Sequence, residues 1–153
     1  MILGIDPGLK GALAFIDKNR NLFTYDMPVE RRKNGKKYIL GDQLAILIKQ
    51  HRPIEAWIED VYSSPQMGVV SAFTFGEGKG TLVGVLAALG VPTRFVVASV
   101  WKRQLGLTAD KGRAKELARA LYPKRKPLLS NEGKCEATLI ATYGLLSHPN
   151  GSP

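Results

Sequence analysis

The chain has 153 residues, and 22 Lys and Arg residues against 13 Asp and Glu residues give it a formal net charge of +9. This length predicts one domain, and the 44% of hydrophobic residues are enough for a packed core, which excludes a disordered basic tail. The single cysteine, Cys135, excludes disulfide-stapled secreted scaffolds and cysteine-rich zinc modules, while the positive charge favours a polyanionic partner such as nucleic acid over solubility alone.

The first quarter of the chain predicts an antiparallel β-meander. Short apolar runs at residues 2–5, 12–16 and 22–25 alternate with turn signals, of which the DPG sequence at residues 6–8 is the first. Parallel strands need a crossover of about a dozen residues or more, and these connections are shorter. A polar basic loop is then expected at residues 30–37.

The rest of the chain predicts helices and two further strands. In chain order we expect a helix at residues 40–49, a buried strand at 56–58 that ends in Glu59, a glycine-rich helix at 69–89, a strand at 93–97, a helix from Ser99 to Gln104, a helix from Asp110 to Leu121, a basic linker at 123–127, and a last helix from Ser130 or Asn131 to about Leu146. This order predicts a mixed α/β sheet flanked by helices, in a single domain over residues 1–147 with a flexible tail at 148–153.

The sequence also predicts where the protein is found. No apolar run approaches the ~18–20 residues that a membrane span needs, so we expect no membrane partner. The first residues contain Asp6 and lack the basic stretch of a secretory signal. We therefore expect a protein of a reducing compartment, the cytoplasm.

Acidic residues fall where the predicted elements begin or end. Asp6 closes the first strand and Glu59 closes the fourth, so both emerge at one edge of the sheet if these strands are parallel neighbours. Glu132 and Glu136 lie four residues apart on one face of the last helix. Converging carboxylates repel one another unless a cation neutralises them, and such oxygen ligands suit Mg²⁺ or Mn²⁺. The set predicts a divalent metal site.

Most of these acids have a purely structural alternative. Asp6 before Pro-Gly is typical of a capped turn, Glu59 of a solvated strand end, and Glu132 of a favourable helix N-terminus. Glu136 lies among apolar residues, where an unpaired carboxylate is costly, and this favours a functional role. Asp60 points to the other face of the sheet by strand alternation, so it is not expected in the site.

Several segments together resemble a known family. The GIDPG motif at residues 4–8 resembles the opening motif of the RuvC family of Holliday-junction resolvases, which have the RNase H-like fold. Ile58-Glu59 is similar to the family's second acidic strand end, and the ASVWK segment at residues 98–102 to the stretch before its DNA-contacting region. The EATLIA segment at 136–141 resembles its final helix. The short, basic chain looks most like phage-type or other divergent members.

The resemblance implies a function and a set of site residues. Members are structure-selective endonucleases that resolve Holliday junctions or branched DNA as homodimers, by two-metal-ion phosphodiester hydrolysis. Asp6, Glu59 and Glu136 match the family's acidic positions, which implies that they bind two Mg²⁺ ions, for which Mn²⁺ substitutes. The implied fold is an RNase H-like five-stranded mixed sheet, with three antiparallel strands followed by two parallel ones.

The family's fourth ligand position is less well matched. The family places another acidic residue or a histidine a few positions before the last one, but Gly133, three before Glu136, has no side chain to offer. Glu132 and Asn131 are the candidates for this position, and we expect both among the catalytic residues. Asn131 is also a good helix N-cap, and in the functional interpretation it marks a weakened metal site.

Basic clusters predict contacts to DNA phosphates. They lie at residues 31–37, where five of seven are basic, at 102–103, at 111–115 and at 124–126. The expected backbone contacts are Lys102, Arg103, Lys111 and Arg113. Tyr62 is expected beside unstacked junction bases, whereas Phe73 is expected in the core.

Three glycines suggest a close contact along the glycine-rich helix. Gly76, Gly80 and Gly84 recur at intervals of four residues, so another backbone can approach one face of their helix. Packing on the sheet is one explanation. The other is a two-fold dimer contact, which the resemblance favours because two opposed strands of a junction need two sites.

Three other functions remain as alternatives. The first is a junction-binding protein that does not cleave, and Asn131 in place of an acidic ligand is the feature that favours it. The second is an actin-like sugar kinase, but such a protein needs two domains and a cleft between them, for which 153 residues are too few. The third is an RNA-cleaving relative of the same fold, since no residue pattern here reads a 2′-hydroxyl.

Overall fold

The computed structural model describes residues 1–62, 64–107 and 111–148, except the side chain of Lys111. Its strands are β1 (Ile2–Asp6), β2 (Ala12–Ile16), β3 (Leu22–Asp26), β4 (Val29–Arg31), β5 (Lys37–Ile39), β6 (Glu55–Glu59) and β7 (Thr93–Val96). Its helices are α1 (Gly41–His51), α2 (Val69–Ala88), α3 (Ala98–Gln104), α4 (Lys111–Leu121) and α5 (Glu132–Ser147), with a 3-10 helix at Pro123–Leu128. Within these described ranges, no helix combines the length and apolar character that crossing a membrane would require.

A five-stranded mixed sheet forms the centre of the molecule, in the order β3-β2-β1-β6-β7. The meander β1–β2–β3 is antiparallel, with Gly4 opposite Ala14. β6 then pairs in parallel with β1, and β7 in parallel with β6. This is the predicted fold, with three antiparallel strands followed by two parallel ones, and it places the carboxyl ends of β1 and β6 side by side.

Helices cover both faces of the sheet because the strands are apolar on both sides. Leu3 and Ile5 of β1 pack with α1 and α2 on one face. Ile2 lies in the cluster on the other face, which is built mainly from α3, α4 and α5. Gly4 shares the α5 side by strand alternation, and a Cβ at this position would lie 2.2 Å from the carbonyl oxygen of Ala137. The absent side chain therefore lets α5 lie directly on β1.

The basic segment at residues 30–37 is not a loop throughout, as the sequence led us to expect. β4 and β5 form a two-stranded antiparallel hairpin, with Val29 opposite Ile39 at its base and Arg31 opposite Lys37 near its tip. Ile39 is buried against Gly78 of α2. Each strand has only three residues, so the alternation that marks a strand is too short to stand out among the charges.

Smaller differences concern how helices begin. The predicted cap Ser99 lies inside α3, whose N-cap is Val97, and the predicted linker at 123–127 forms the 3-10 helix, which begins with Pro123. Proline is well placed there because the first helical turn needs no N–H partner. The predicted cap Asp110 and most of the predicted tail, residues 149–153, lie outside the described residues.

Candidate metal centre

The carboxyl ends of β1 and β6 place two acids next to each other. Ile5 lies beside Ile58 in the parallel ladder, and Asp6 and Glu59 follow these residues directly. By strand alternation both acids lie on the α5 side of the sheet. Asp60 lies one residue further and turns to the opposite side, where its carboxylate accepts hydrogen bonds from Lys79 and Tyr62. The expectation that Asp60 points away from Glu59 is confirmed.

Glu136 reaches the same place from the last helix. The close contact of α5 with Gly4 and the first turn of the helix, at Gly133, hold α5 against the end of β1. Asp6, Glu59 and Glu136 each present one carboxylate oxygen, and these three atoms all lie within 4.8 Å of one another. Three segments that are far apart in the chain thus form one group of acids, which we call the acidic centre.

Burial and mutual repulsion make the charged form of these acids costly. Burial, followed by the charges of Glu136 and Glu59, raises the pKa of Asp6 to about 7. Burial, followed by the charge of Glu136, also raises the pKa of Glu59. A divalent cation would remove this cost, and three converging carboxylates are the oxygen ligands that such a cation prefers. The acidic centre therefore fits a divalent metal.

Lys102 contacts the acidic centre, and the sequence did not indicate this contact. Its ammonium lies 3.4 Å from Glu136 Oε1, and its positive charge lowers the pKa of Asp6 and of Glu59 against the larger opposing effects. The sequence placed Lys102 only among the DNA contacts, because nothing in its spacing connects α3 with α5. One ammonium against three carboxylates leaves the centre negatively charged when all four groups are ionised.

Among the residues that the structure describes, no fourth acid joins the three of the acidic centre. A Cβ at Gly133 would lie 2.8 Å from the carbonyl oxygen of Lys10 and 3.2 Å from Asp6 Oδ2, so no side chain fits there without movement. Glu132 is exposed at the start of α5 and raises the pKa of Asp6 through its charge, but it does not belong to the group of three. Its role as a ligand stays a prediction.

Asn131 acts as the N-cap of α5, as its structural interpretation predicts. Its side-chain oxygen accepts a hydrogen bond of 2.9 Å from the backbone N–H of Lys134, and its amide donates to Asp26 Oδ1 at 2.7 Å. Asp26, at the end of β3, also pairs with the Lys134 ammonium. No local sequence signal predicts this contact, since Asp26 ends a strand three places away from β6 in the sheet.

A pocket of about 620 Å³ opens beside the acidic centre. Asp6 and Glu136 line one side of it, and Asp26, Val29 and Asn131 are among its other residues. Cys135 lies in the same stretch of α5 but is fully buried, and burial raises the pKa of its thiol. The cysteine is therefore a core residue, as expected, and not a nucleophile.

The other predicted DNA contacts occupy the surface. Arg103 and Arg113 are exposed, while the side chain of Lys111 lies outside the described residues. Tyr62 is 68% exposed, its hydroxyl donates to Asp60, and the Lys79 ammonium lies over its ring. These positions are compatible with the predicted contacts, which remain predictions.

The structure contradicts the expectation for Phe73 and one of the two explanations for the glycines of α2. Phe73 is 74% exposed and does not lie in the core. Gly76, Gly80 and Gly84 are exposed, and a Cβ at any of them would meet no described atom within 4 Å, so they do not serve packing on the sheet. The helix is attached to the sheet through its other side, by Leu82 and Leu86.

Comparisons with known proteins give relatives of one kind, although no protein-family model matches the sequence. The chain is 35% identical over 110 residues to the crossover junction endodeoxyribonuclease RuvC of Nitratidesulfovibrio vulgaris strain Hildenborough, an overlap of 68% of this chain and 65% of that protein. It is 31% identical over 121 residues to the chloroplastic Holliday junction resolvase MOC1 of Chlamydomonas reinhardtii, an overlap of 72% of this chain but 14% of that protein. The chain thus spans less than two thirds of either relative.

A solved structure has the same fold. The structure of T. thermophilus RuvC in complex with a Holliday junction substrate superimposes with a TM-score of 0.62, covering 93% of this chain and 90% of that one. The sequence identity is 17%, so this comparison supports the fold and not the activity.

Proposed function

We propose that this chain is a member of the RuvC family and a structure-selective endonuclease that hydrolyses phosphodiester bonds in four-way or otherwise branched DNA. One observation carries the proposal: Asp6, Glu59 and Glu136 converge within 4.8 Å at the edge of a RuvC-like sheet. Such a centre does not stabilise the fold, because the burial and the repulsion that raise the pKa of Asp6 destabilise its ionised form in the folded protein. Bound metal ions would neutralise these carboxylates and would serve the hydrolysis.

In this proposal Asp6, Glu59 and Glu136 hold two Mg²⁺ ions, for which Mn²⁺ substitutes. When bound, such ions lower the pKa of a water molecule and stabilise the leaving oxygen of the phosphodiester. Lys102 orients Glu136 and offers a positive charge to the phosphate next to the acidic centre. Glu132, exposed at the entrance of the same pocket, is the proposed additional ligand. Asn131 supports the centre by capping the helix that carries Glu136.

The proposed DNA surface consists of basic side chains of α3 and α4. Arg103 and Arg113 are exposed and bind phosphates, as does Lys111, and Tyr62 lies beside unpaired bases. The cytoplasmic location expected from the sequence stays a prediction.

We place the dimer contact on the exposed face of α2. Val69 and Phe73 are 86% and 74% exposed there, although apolar, and Gly76, Gly80 and Gly84 leave room for a second backbone. A two-fold axis through this face provides two acidic centres for the two opposed strands of a junction.

A junction-binding protein without cleavage activity is the second candidate. The observation that favours it is Gly133, where the contact with Lys10 and Asp6 leaves no room for a fourth acid. Both candidates use the same basic surface, so binding alone does not distinguish them.

Incubation of the protein with an end-labelled synthetic four-way junction and Mg²⁺ tests the proposal. We expect paired nicks in opposed strands, which Asp6→Asn abolishes while junction binding stays equal or becomes tighter, because the basic surface is untouched. Asp42→Asn, which removes an exposed carboxylate of α1 outside the centre, is the matched control and should cleave normally. Retarded but intact DNA with the wild-type protein would support the second candidate, and neither binding nor nicks would overturn both.

A further inference from the structure

The hairpin β4–β5, residues Val29–Ile39, carries one of the basic clusters of the sequence, which lies outside the acidic centre and outside the four expected backbone contacts of α3 and α4. Five of its residues are basic: Arg31, Arg32, Lys33, Lys36 and Lys37. Residues 31–37 are all exposed. Acidic residues within the hairpin do not neutralise this charge. Glu30 is the only acid of the hairpin, and its carboxylate accepts a hydrogen bond from Tyr38.

One of the five cations is used to hold the hairpin in place. Arg32 pairs with Glu77 of α2, and its guanidinium lies 4.5 Å from the centroid of the Tyr38 ring. Arg31 donates to the carbonyl oxygen of Gly35 within the turn. For Lys33, Lys36 and Lys37 the described part of the chain provides no ion pair. These three ammonium groups are therefore available to an outside partner.

The hairpin is rigid enough to offer its charges at defined places. Ile39 is buried at its base, 3.2 Å from the position of a Cβ on Gly78, and Leu40 donates a backbone hydrogen bond to Pro28 that closes the base. The tip is closed by a 2.8 Å hydrogen bond from the Arg32 N–H to the Lys36 carbonyl. A mobile linker would have none of these contacts.

The base of the hairpin stands next to the acidic centre. Val29 lines the pocket that also contains Asp6 and Glu136. Ile39 lines a second pocket together with Pro7 and Lys10, which belong to the segment that follows Asp6. From this base the tip extends by four residues, or about 13 Å at the rise of a β-strand. Duplex DNA presents one phosphate per about 1.7 Å of its axis, so DNA that places a phosphate at the centre has others within this reach.

We propose that the β4–β5 hairpin is a second DNA-binding element, which holds the phosphate backbone of one duplex arm through Lys33, Lys36 and Lys37 while the acidic centre faces the strand to be cut. The inference rests on the proposed function for the identity of the DNA. Beyond the proposed function, the inference states that these lysines supply part of the salt-dependent affinity for DNA. They lie far along the chain from Lys102 and Arg103.

The test compares two double variants with the same change in net charge, from +9 to +7. Lys33→Gln/Lys36→Gln removes two charges of the hairpin. Lys18→Gln/Lys49→Gln removes two exposed charges at the opposite end of the sheet, beside the β2–β3 turn and the end of α1. Junction binding is measured by fluorescence anisotropy between 50 and 300 mM salt in EDTA, so that no cleavage occurs. Thermal midpoints establish that all proteins are folded.

We expect the hairpin variant to make the slope of log K against log salt less negative by about 2, since each phosphate contact contributes about 0.9. Its affinity at 100 mM salt should fall at least tenfold, while the control keeps the wild-type slope. Lys33→Arg/Lys36→Arg should restore the wild-type slope, because charge and not shape is what the hairpin supplies.

Equal slopes for the hairpin variant and its control would overturn the inference. So would a hairpin variant that loses self-association in sedimentation while its slope stays unchanged, because the hairpin would then be a contact between copies of the chain. Failure of the proposed function looks different: the wild-type protein would itself show no preference for the junction and no cleavage.

Discussion

Asp6 connects the chemistry of the centre with the stability of the fold. In the unfolded chain its carboxyl titrates near 3.8, whereas in the folded protein burial and the neighbouring carboxylates raise the pKa to about 7. Between these values the folded state binds more protons than the unfolded state, so the free energy of unfolding decreases as pH rises. A bound divalent cation reverses this effect by favouring the ionised form.

We therefore expect Asp6 to make the metal-free protein less stable at pH 8 than at pH 5, by at most about 3 kcal/mol, because only about two pH units of this interval lie below the folded pKa of about 7. Urea unfolding in EDTA at both pH values measures this change. His51 acts in the opposite sense, because burial lowers its pKa, so the relevant quantity is the difference between wild type and Asp6→Asn. Asp6→Asn should be the more stable protein at pH 8, and Mg²⁺ should stabilise only the wild type.

A different result would change the assignment of Asp6. If the two proteins had the same stability at pH 8, with no response of either to Mg²⁺, Asp6 would be an ordinary turn residue.

At the scale of elements, the contact between β1 and α5 decides the composition of the centre. Gly4 lets the middle of α5 approach the strand, and Gly133 lets its first turn approach Lys10 and Asp6. The same closeness that brings Glu136 to Asp6 removes the space for a side chain three residues earlier. A three-acid centre is thus a consequence of how tightly the helix lies on the strand.

Gly133→Asp tests this consequence directly. The new Cβ lies 2.8 Å from the Lys10 carbonyl oxygen, so we expect a loss of about 1–3 kcal/mol in the free energy of unfolding and no increase in cleavage. Glu132→Asp, at an exposed position of the same turn, is the control for stability and should change it by less than about 0.5 kcal/mol. A Gly133→Asp protein of unchanged stability that cleaves faster would mean that α5 moves to admit a fourth ligand.

At the scale of the whole molecule, the proposed activity depends on a second copy of the chain. The exposed apolar side chains Val69 and Phe73 continue into the glycine face of α2, and together they form an apolar surface on a protein of net charge +9. Two such faces related by a two-fold axis would cover one another.

Gly80→Arg should separate the proposed dimer without unfolding the protomer. No described atom lies within 4 Å of the new Cβ, and replacing glycine in a helix favours helix formation by up to about 1 kcal/mol. Sedimentation should change from dimer to monomer, and junction cleavage should change from paired to unpaired nicks. Gly80→Ala is the conservative control and should remain dimeric, whereas a dimeric Gly80→Arg protein would place the contact elsewhere.

Much of this architecture was predictable from the sequence because the signals are local. Alternating or continuous apolar runs between turn residues identify strands, and the short connections of the meander decide its antiparallel pairing. Asp6 and Glu59 were predictable as neighbours because both end strands, and strand ends meet at one edge. Asn131 was predictable as a cap because a cap needs only the backbone of the next turn.

Only the tertiary structure decided the distances between separate segments, because no local sequence pattern predicts them. The position of Lys102 beside Glu136 depends on how α3 and α5 lie against each other, and the exposure of Gly76, Gly80 and Gly84 depends on which side of α2 faces the sheet. The hairpin β4–β5 is held in place by Ile39, which is buried against α2. The charged residues that precede Ile39 in the sequence gave no indication of this burial. Local patterns specify elements, and packing specifies which of their faces meet.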